Sequence, residues 1–299
     1  MKKKDVINYG PKNAYDVGLI LKDIVRRASE EVWKRRVGFV GTAKQNARKP
    51  NEMDDLVTDA DFASQELIVR KLDECFPGYG IIAEEKGLKR KCTLRGEKLF
   101  FTIDPLDGTK AFGRRQSNGF GPMLSLCTEE EVIASYVADT MSRELYYYRP
   151  ESHKVHRLNF GDAKYESLLI DRSRLLIDQY VLLRDDPRSM PGIIQHATSC
   201  GIFKNIEVIG GGIGTWMARL WKGEVGACVL DKGVQTPWDF CPIYGITKKL
   251  GCVFLQPSTT SPIGWALVEY RPTMENVTWD KPTIILHGSR VQEFVESIN

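Results

Sequence analysis

Long apolar runs are missing from this 299-residue chain: no stretch approaches the roughly 18 residues that cross a bilayer. The start, Met1-Lys2-Lys3-Lys4, is followed by Asp5-Val6-Ile7-Asn8-Tyr9-Gly10-Pro11 rather than by an apolar segment. Neither a membrane span nor an export signal is expected. An excess of one charge is missing as well. The 42 Lys and Arg stand against 39 Asp and Glu, a balance of +3, which gives no basis for nucleic-acid binding. There is no CxxC pair; the seven cysteines are odd in number, and several sit in apolar surroundings such as Leu126-Cys127 and Gly251-Cys252-Val253. The expectation is a reduced, cytoplasmic chain. Internal repeats and low-complexity tracts are absent too, and 42% hydrophobic with 27% charged residues excludes disorder and coiled coils.

What is present reads as mixed α and β structure. Val17, Ile20, Leu21, Ile24, Val25, Ala28 and Val32 predict a helix over 15–35. Phe62, Leu67, Ile68, Leu72 and Phe76 predict another over 61–76, stopped by Pro77-Gly78. A polar, basic connector over 42–50 lies between them. Residues 86–98 read as a loop with six basic residues and one acid. Strands are expected at 81–83, 99–103, 122–128, 131–138, 144–149, 166–171, 206–209 and 283–287, with helices near 187–199, 213–222 and 239–250. Without a strict βαβ rhythm, the pattern favours layered α and β elements over a TIM barrel or a simple Rossmann fold. The length accommodates two halves, 1–154 and 155–299.

Carboxylates concentrate where apolar neighbours predict burial. The segments are Asp55-Leu56-Val57-Thr58-Asp59-Ala60-Asp61, Ile81-Ile82-Ala83-Glu84-Glu85, Phe100 to Thr109, and Pro237-Trp238-Asp239-Phe240. One acid at a strand end is ordinarily a solvated tip or a helix cap. Several, each closing an apolar strand or opening a helix, are better explained by a shared hard cation, because a buried carboxylate without a partner is costly. Mg²⁺ takes oxygen ligands and keeps waters that a phosphate can replace. Cysteine and histidine do not cluster beside these acids, which argues against zinc. In Asp104-Pro105-Leu106-Asp107-Gly108-Thr109, Pro105 turns the chain and Asp107 returns toward Asp104. Gly108 permits close backbone approach, and Thr109 opens a short helix whose free N–H groups suit a phosphate.

Asp104 to Thr109 matches the DPxDGT signature of the inositol monophosphatase family, the magnesium-dependent, lithium-sensitive phosphatases. Glu84-Glu85 resembles that family's GEE motif with Ala83 in place of glycine; Asp55-Leu56-Val57-Thr58 with Asp61 resembles its DLVTxxD segment; Trp238-Asp239 resembles its second signature. Order and spacing agree from about residue 15 to 255. The resemblance implies an α+β fold, a layered α/β/α/β/α sandwich of the sugar-phosphatase type, often dimeric. It implies Mg²⁺ held by Glu84, Asp104, Asp107, Asp239 and the main-chain carbonyl of Leu106, most of them in the N-terminal half. Asp61 and Thr109 would orient and activate a water, Gly108 and Thr109 would offer backbone donors to the phosphate, and Gly214, Thr215 and Trp216 would line the substrate pocket. The implied activity is Mg²⁺-dependent hydrolysis of a small phosphorylated metabolite, inositol-phosphate type first, by a cytoplasmic homodimer. The alternatives are a 3′(2′),5′-bisphosphate nucleotidase, a histidinol-phosphate phosphatase or a catalytically silent relative.

The departures from the family pattern bear on substrate. Trp216 stands where a small residue is usual, Val225-Gly226 replaces an alanine-aspartate pair, and Lys110 follows the signature threonine. Asp231 is a possible counterpart of the acid that contacts substrate hydroxyls. Arg114-Arg115, just beyond the phosphate turn, could meet a second phosphate or carboxylate. The basic loop 86–98 reads as a solvated loop or as a steering surface. His153 and His156 flank a turn and are not read as metal ligands. Gly210-Gly211-Gly212-Ile213-Gly214 lacks the βαβ context of a dinucleotide loop and reads as a close-packed pocket edge.

Overall fold

The helical spacing of Val17, Leu21, Ile24, Val25, Ala28 and Val32 forms α1 (Ala14–Arg35) in the computed structural model, which describes residues 7–43, 56–184 and 186–298. Asn13 caps α1: its side chain accepts from the N–H groups of Tyr15 and Asp16, both at 2.9 Å. A small antiparallel pair follows, β1 (Gly41–Ala43) with β2 (Leu56–Thr58), and then α2 (Asp59–Cys75). The rest of the expected connector, and Asp55 of the first acidic segment, lie outside the described residues.

Eight strands form the larger sheet: β3 (Gly80–Ala83), β4 (Lys89–Arg90), β5 (Phe100–Asp107), β6 (Gly121–Cys127), β7 (Val132–Asp139), β8 (Glu144–Tyr148), β9 (His156–Asn159) and β10 (Tyr165–Ser167), with the short α3 (Thr109–Gly113) after β5. Their order is β10-β9-β8-β7-β6-β5-β3-β4, and only β3 with β5 is a parallel pair. The smaller sheet uses β11 (Tyr180–Leu183), β12 (Asn205–Val208) and β13 (Ala227–Leu230). Helices α4 (Gly192–Ser199) and α5 (Ile213–Trp221) come between these strands. The chain continues through β14 (Gly233–Gln235), α6 (Pro237–Lys249), β15 (Cys252–Pro257), β16 (Trp265–Leu267), β17 (Val277–Trp279), β18 (Thr283–His287) and α7 (Val291–Ile298). Its order is β12-β11-β13-β18-β15-β16, while β14 pairs with β17 apart from it.

The two-residue period of the strands distributes these elements into layers. Leu124, Leu126 and Tyr136 face α1 and α2, whereas Met123, Cys127 and Val137 face a second core with Trp216, Met217 and Trp221 of α5 and Phe240, Tyr244 and Ile246 of α6. Leu182, Cys228 and Ile285 close that second core from the smaller sheet, whose opposite face carries Val181, Val229 and Ile284 against α4 and α7. The result is the expected α/β/α/β/α sandwich. Strands buried on both faces read as unbroken apolar runs, as β5 and β6 do.

Several elements lie outside those that the pattern predicts. β11, β13 and the β14–β17 pair have three or four residues each, a short span for a period to register, and the six-residue β15 and the eight-residue α7 are not among the expected elements either. The strand expected at 166–171 stops at Ser167, and the helix expected over 187–199 divides into a 3₁₀ turn at Pro187–Ser189 and α4. The basic segment 86–98 contains β4, and three of its six cations form surface ion pairs: Arg90 with Asp73, Lys98 with Glu129, Lys89 with Glu275.

In the middle layer α6 approaches the larger sheet at a glycine. A Cβ on Gly245 would lie 2.5 Å from Ser135 Oγ, 2.6 Å from the Tyr148 hydroxyl and 2.8 Å from Val132 Cγ1. Helix propensity alone favours Gly245→Ala by about 0.8–1 kcal/mol. Overpacking a close-packed core costs about 1–3 kcal/mol, and here packing should win. Gly245→Ala is therefore expected to lower the urea midpoint; a raised midpoint would show that the strands yield.

Candidate active site

The site is built on the turn after β5. Pro105 has no N–H for the ladder, and the β5–β6 register slips between Asp104, opposite Met123, and Asp107, opposite Gly121. The slip brings the second carboxylate back toward the first. Asp104 Oδ1 accepts from the Leu106 N–H at 2.9 Å, and the Pro105 carbonyl accepts from Ser64 of α2 at 2.7 Å. Gly108 follows at φ +82, and a Cβ there would lie 2.2 Å from the Gly119 carbonyl oxygen and 2.8 Å from the Gly212 nitrogen. Only glycine lets three backbone segments meet at this point.

That approach places the start of α5 over Asp107. Gly212 N–H donates to the Gly119 carbonyl at 2.7 Å, Ile213 N–H to Asp107 Oδ1 at 2.9 Å, and Gly214 N–H to Asp107 Oδ2 at 2.6 Å. A carboxylate here meets both the unpaired amides and the positive end of the helix dipole. From the other helix of this layer comes Asp239, in the first turn of α6, whose Oδ2 accepts from Thr236 Oγ1 at 2.6 Å.

Asp104, Asp107 and Asp239 each offer an oxygen within 4.8 Å of the others. Asp104 and Asp107 are buried and Asp239 is half-buried. Burial, then the charge of Glu84, then that of Asp239, hold the Asp104 carboxyl well above its ordinary range. Burial and Asp239 push Asp107 up to about 7, against the pull of the Gly214 and Ile213 amides and of Arg184. Glu84 closes β3, and its N–H continues the parallel pairing onto the Ile103 carbonyl at 3.1 Å, so it stands beside Asp104. An all-oxygen set of mutually repelling, water-poor carboxylates suits a hard divalent cation.

A second pair adjoins the turn. Thr109 Oγ1 lies 2.9 Å from the Leu106 carbonyl oxygen and 3.1 Å from Asp61 Oδ1, so its one proton serves either acceptor. The other oxygen of Asp61 accepts from the Thr58 N–H at 2.8 Å and the Thr58 hydroxyl at 2.5 Å. Asp61 is fully buried at the third position of α2, and burial pushes its carboxyl up to about 6.

The structure thus brings together Asp104, Asp107 and Asp239 with Glu84 alongside, and joins Thr109 to Asp61 and Leu106. It treats the expected substrate residues differently. The Gly214 N–H is taken by Asp107, and the Thr215 hydroxyl donates to the Gly212 carbonyl at 3.1 Å. Trp216, expected at the pocket, is only 3% exposed and packs in the core between the sheets, its Nε1 without a hydrogen-bond partner. Asp231 is half-buried and accepts from the neighbouring Lys232 N–H. Lys110, Arg114 and Arg115 are exposed. His156 is held between Tyr165 and Ser167. The sequence reading did not single out Ser64, Thr236 or Arg184. For Thr236 the signal was available, a threonine directly before Pro237 at a helix start.

A five-layered α+β sandwich with a buried acidic centre at the turn of its larger sheet is the class of protein defined here. The chain belongs to the inositol monophosphatase family, which it matches over residues 14–293. The inositol-1-monophosphatase of Bacillus subtilis (strain 168) is 31% identical over 93 residues, 31% of this chain and 34% of that protein. The Nus factor SuhB of Xylella fastidiosa (strain Temecula1) is 29% identical over 92 residues, 31% of each chain. These alignments span about a third of the length of the curated relatives. Among solved structures, the extragenic suppressor protein suhB of Bartonella henselae superposes with a TM-score of 0.69 at 16% identity, covering 95% of this chain and 98% of that one. The Thermotoga maritima IMPase gives 0.69 at 20% identity, covering 95% and 97%. An IMPase/NADP phosphatase described as complexed with Mg²⁺ and phosphate gives 0.67 at 17%, covering 96% and 97%. At these identities the likeness is one of fold. No described helix is long and apolar enough to cross a membrane.

Both Asp61 and Asp107 hold protons more tightly folded than unfolded. In the metal-free protein their stabilising contribution is complete below the ordinary carboxylate range, and it is lost as pH rises through about 6 and about 7. The urea midpoint without metal is expected to fall between pH 5 and pH 8, and Asp107→Asn should flatten the fall. Adding Mg²⁺ should raise the midpoint more at pH 8 than at pH 5, because ligands must be deprotonated. An equal rise at both pH values would mean that these carboxylates do not take up the ion.

Proposed function

We propose that the protein is a Mg²⁺-dependent phosphomonoesterase that hydrolyses a small phosphorylated metabolite. The observation that carries this reading is the convergence of Asp104, Asp107 and Asp239 within 4.8 Å, next to a threonine hydroxyl backed by a buried carboxyl. In this reading Glu84, Asp104, Asp107, Asp239 and the Leu106 carbonyl hold the ion. When bound, Mg²⁺ supplies a Lewis acid for the phosphoryl oxygens and for the attacking water. The main-chain N–H groups of Gly108 and Thr109 receive the phosphate at the start of α3. With its own proton directed to Asp61, the Thr109 hydroxyl accepts a hydrogen bond from the water and aims it at phosphorus. Asp61 takes up the proton by way of Thr109, and its affinity near pH 6 suits a base working near neutrality. A bond forms between water oxygen and phosphorus as the ester P–O bond breaks; the leaving alkoxide takes a proton from solvent, and Asp61 later returns its proton to solvent.

An oxygen-only ligand set with no substitution at Glu84, Asp104, Asp107, Thr109 or Asp239 favours a working enzyme over a silent relative. The reading extends to lithium sensitivity; a staphylococcal inositol monophosphatase is described as an inhibitory complex after soaking in 100 mM LiCl.

Chelation should abolish phosphate release and added Mg²⁺ should restore it. Asp104→Asn should lower kcat by about 10³-fold, since a charge facing the transition state is lost. Undiminished turnover after exhaustive chelation, or a fall below tenfold in the variant, would overturn the metal assignment. For Thr109→Ala the expected loss in kcat is about 10²-fold, the range of an acid–base group. If this variant melts earlier but turns over normally, Thr109 only braces the turn.

A further inference from the structure

Arg184 is an exposed residue directly after the apolar run Val181-Leu182-Leu183 of β11. The Ile209 N–H extends the parallel β11–β12 alignment onto the Leu183 carbonyl at 3.0 Å. Arg184 therefore leaves the smaller sheet where Gly210-Gly211-Gly212 leads into α5. Its Nη2 donates to the Gly211 carbonyl at 3.1 Å. The next residue, Gly212, lies so close to Asp107 that a Cβ on it would be 2.4 Å from Asp107 Oδ2. The guanidinium thus stands at the rim of the acidic centre, and its charge reaches the Asp107 carboxyl. Among the described residues its hydrogen bonding is to this neutral carbonyl, and no carboxylate lies within ion-pair distance. A guanidinium has five N–H donors in a planar fork that matches phosphate and carboxylate. Among the described residues one donor is used here, and the others stand at an exposed position beside the site.

We infer that Arg184 is a substrate-specificity residue: it binds a second anionic group, phosphate or carboxylate, on a phosphomonoester whose reacting phosphate lies at the Asp104–Asp107–Asp239 centre. This rests on the phosphatase reading above. The carbonyl bond to Gly211 fixes the direction of the side chain. A substrate with a single phosphate and a neutral remainder leaves the other donors to water, whereas a doubly anionic one engages them in charge-assisted bonds. The competing role is a tether that only steadies the Gly211–Gly212 backbone over Asp107. A tether acts on every substrate alike, and a specificity residue does not.

The test compares wild type, Arg184→Ala and Arg184→Lys with Mg²⁺ on two groups of substrates. One group is doubly anionic: 3′-phosphoadenosine 5′-phosphate, fructose 1,6-bisphosphate and 3-phosphoglycerate. The other carries one phosphate on a neutral remainder: inositol 1-phosphate and β-glycerophosphate. Arg184→Ala should lower kcat/KM by about tenfold or more on at least one doubly anionic substrate, mainly through KM. It should change the second group by less than about threefold, and Arg184→Lys should recover part of the loss. A uniform fall across both groups, carried by kcat, would assign Arg184 to the tether and overturn the inference, as would no change. If wild type hydrolyses none of the five, the phosphatase reading fails, and calorimetric titration of the doubly anionic compounds then decides on Arg184. Binding at least about tenfold weaker in Arg184→Ala supports its role; equal or undetectable binding overturns it.

Discussion

The constraint on which the rest depends is three carboxylates held close together, two of them buried and one half-buried. Asp104, Asp107 and Asp239 repel one another at distances where, in a low dielectric, each charge strongly opposes the next. The scaffold answers with fixed dipoles and hydrogen bonds. Two amides of α5 take both oxygens of Asp107, the Leu106 N–H takes one of Asp104, and the Thr236 hydroxyl takes one of Asp239. These contacts reduce the repulsion without cancelling it. The remainder appears at Asp104 and Asp107, whose carboxyls hold protons more tightly than ordinary aspartates, and a divalent cation would relieve it.

The five layers follow from delivering those carboxylates. β5 brings Asp104 and Asp107, α6 brings Asp239, and α5 presents its amides, so the helices of the middle layer must lie against the larger sheet. Gly108 and Gly212 allow the turn and the loop before α5 to approach at backbone distance, and Gly245 does the same for α6 and the sheet. A side chain at any of these points would push apart the elements that carry the charges. On the other face of the sheet, α2 sets Asp61 behind Thr109 and braces the turn through Ser64.

In the proposed reading, the groups assigned to the chemistry sit on buried, hydrogen-bonded elements, and Arg184, inferred to select among phosphorylated molecules, stands at the rim. Trp216 illustrates the difference. By position in the sequence it borders the site, but its indole turns inward and contributes to the core that joins the two sheets. Arg184 is distant in sequence from every acidic segment, yet it ends on the glycine loop beside Asp107.

The long helices, the buried strands of the larger sheet and the Asp104–Thr109 turn were legible because each carries a local signal: a 3.6-residue period, an unbroken apolar run, or proline and glycine at fixed offsets between two acids. The amino-acid order alone therefore pointed to the layered class, to Asp104, Asp107 and Asp239 as acids that the structure brings together, and to the Thr109–Asp61 pair expected from the family pattern. Strands such as β11, β13, β14 and β17 offer at most two periods and escaped, as did the longer β15 and α7. The capture of Asp107 by the Ile213 and Gly214 amides, the inward turn of Trp216 and the placement of Arg184 were decided only by tertiary structure. Each depends on a contact between segments that lie roughly 30 to more than 100 residues apart, and no local pattern encodes which face of a helix meets a sheet or where a strand end comes to rest.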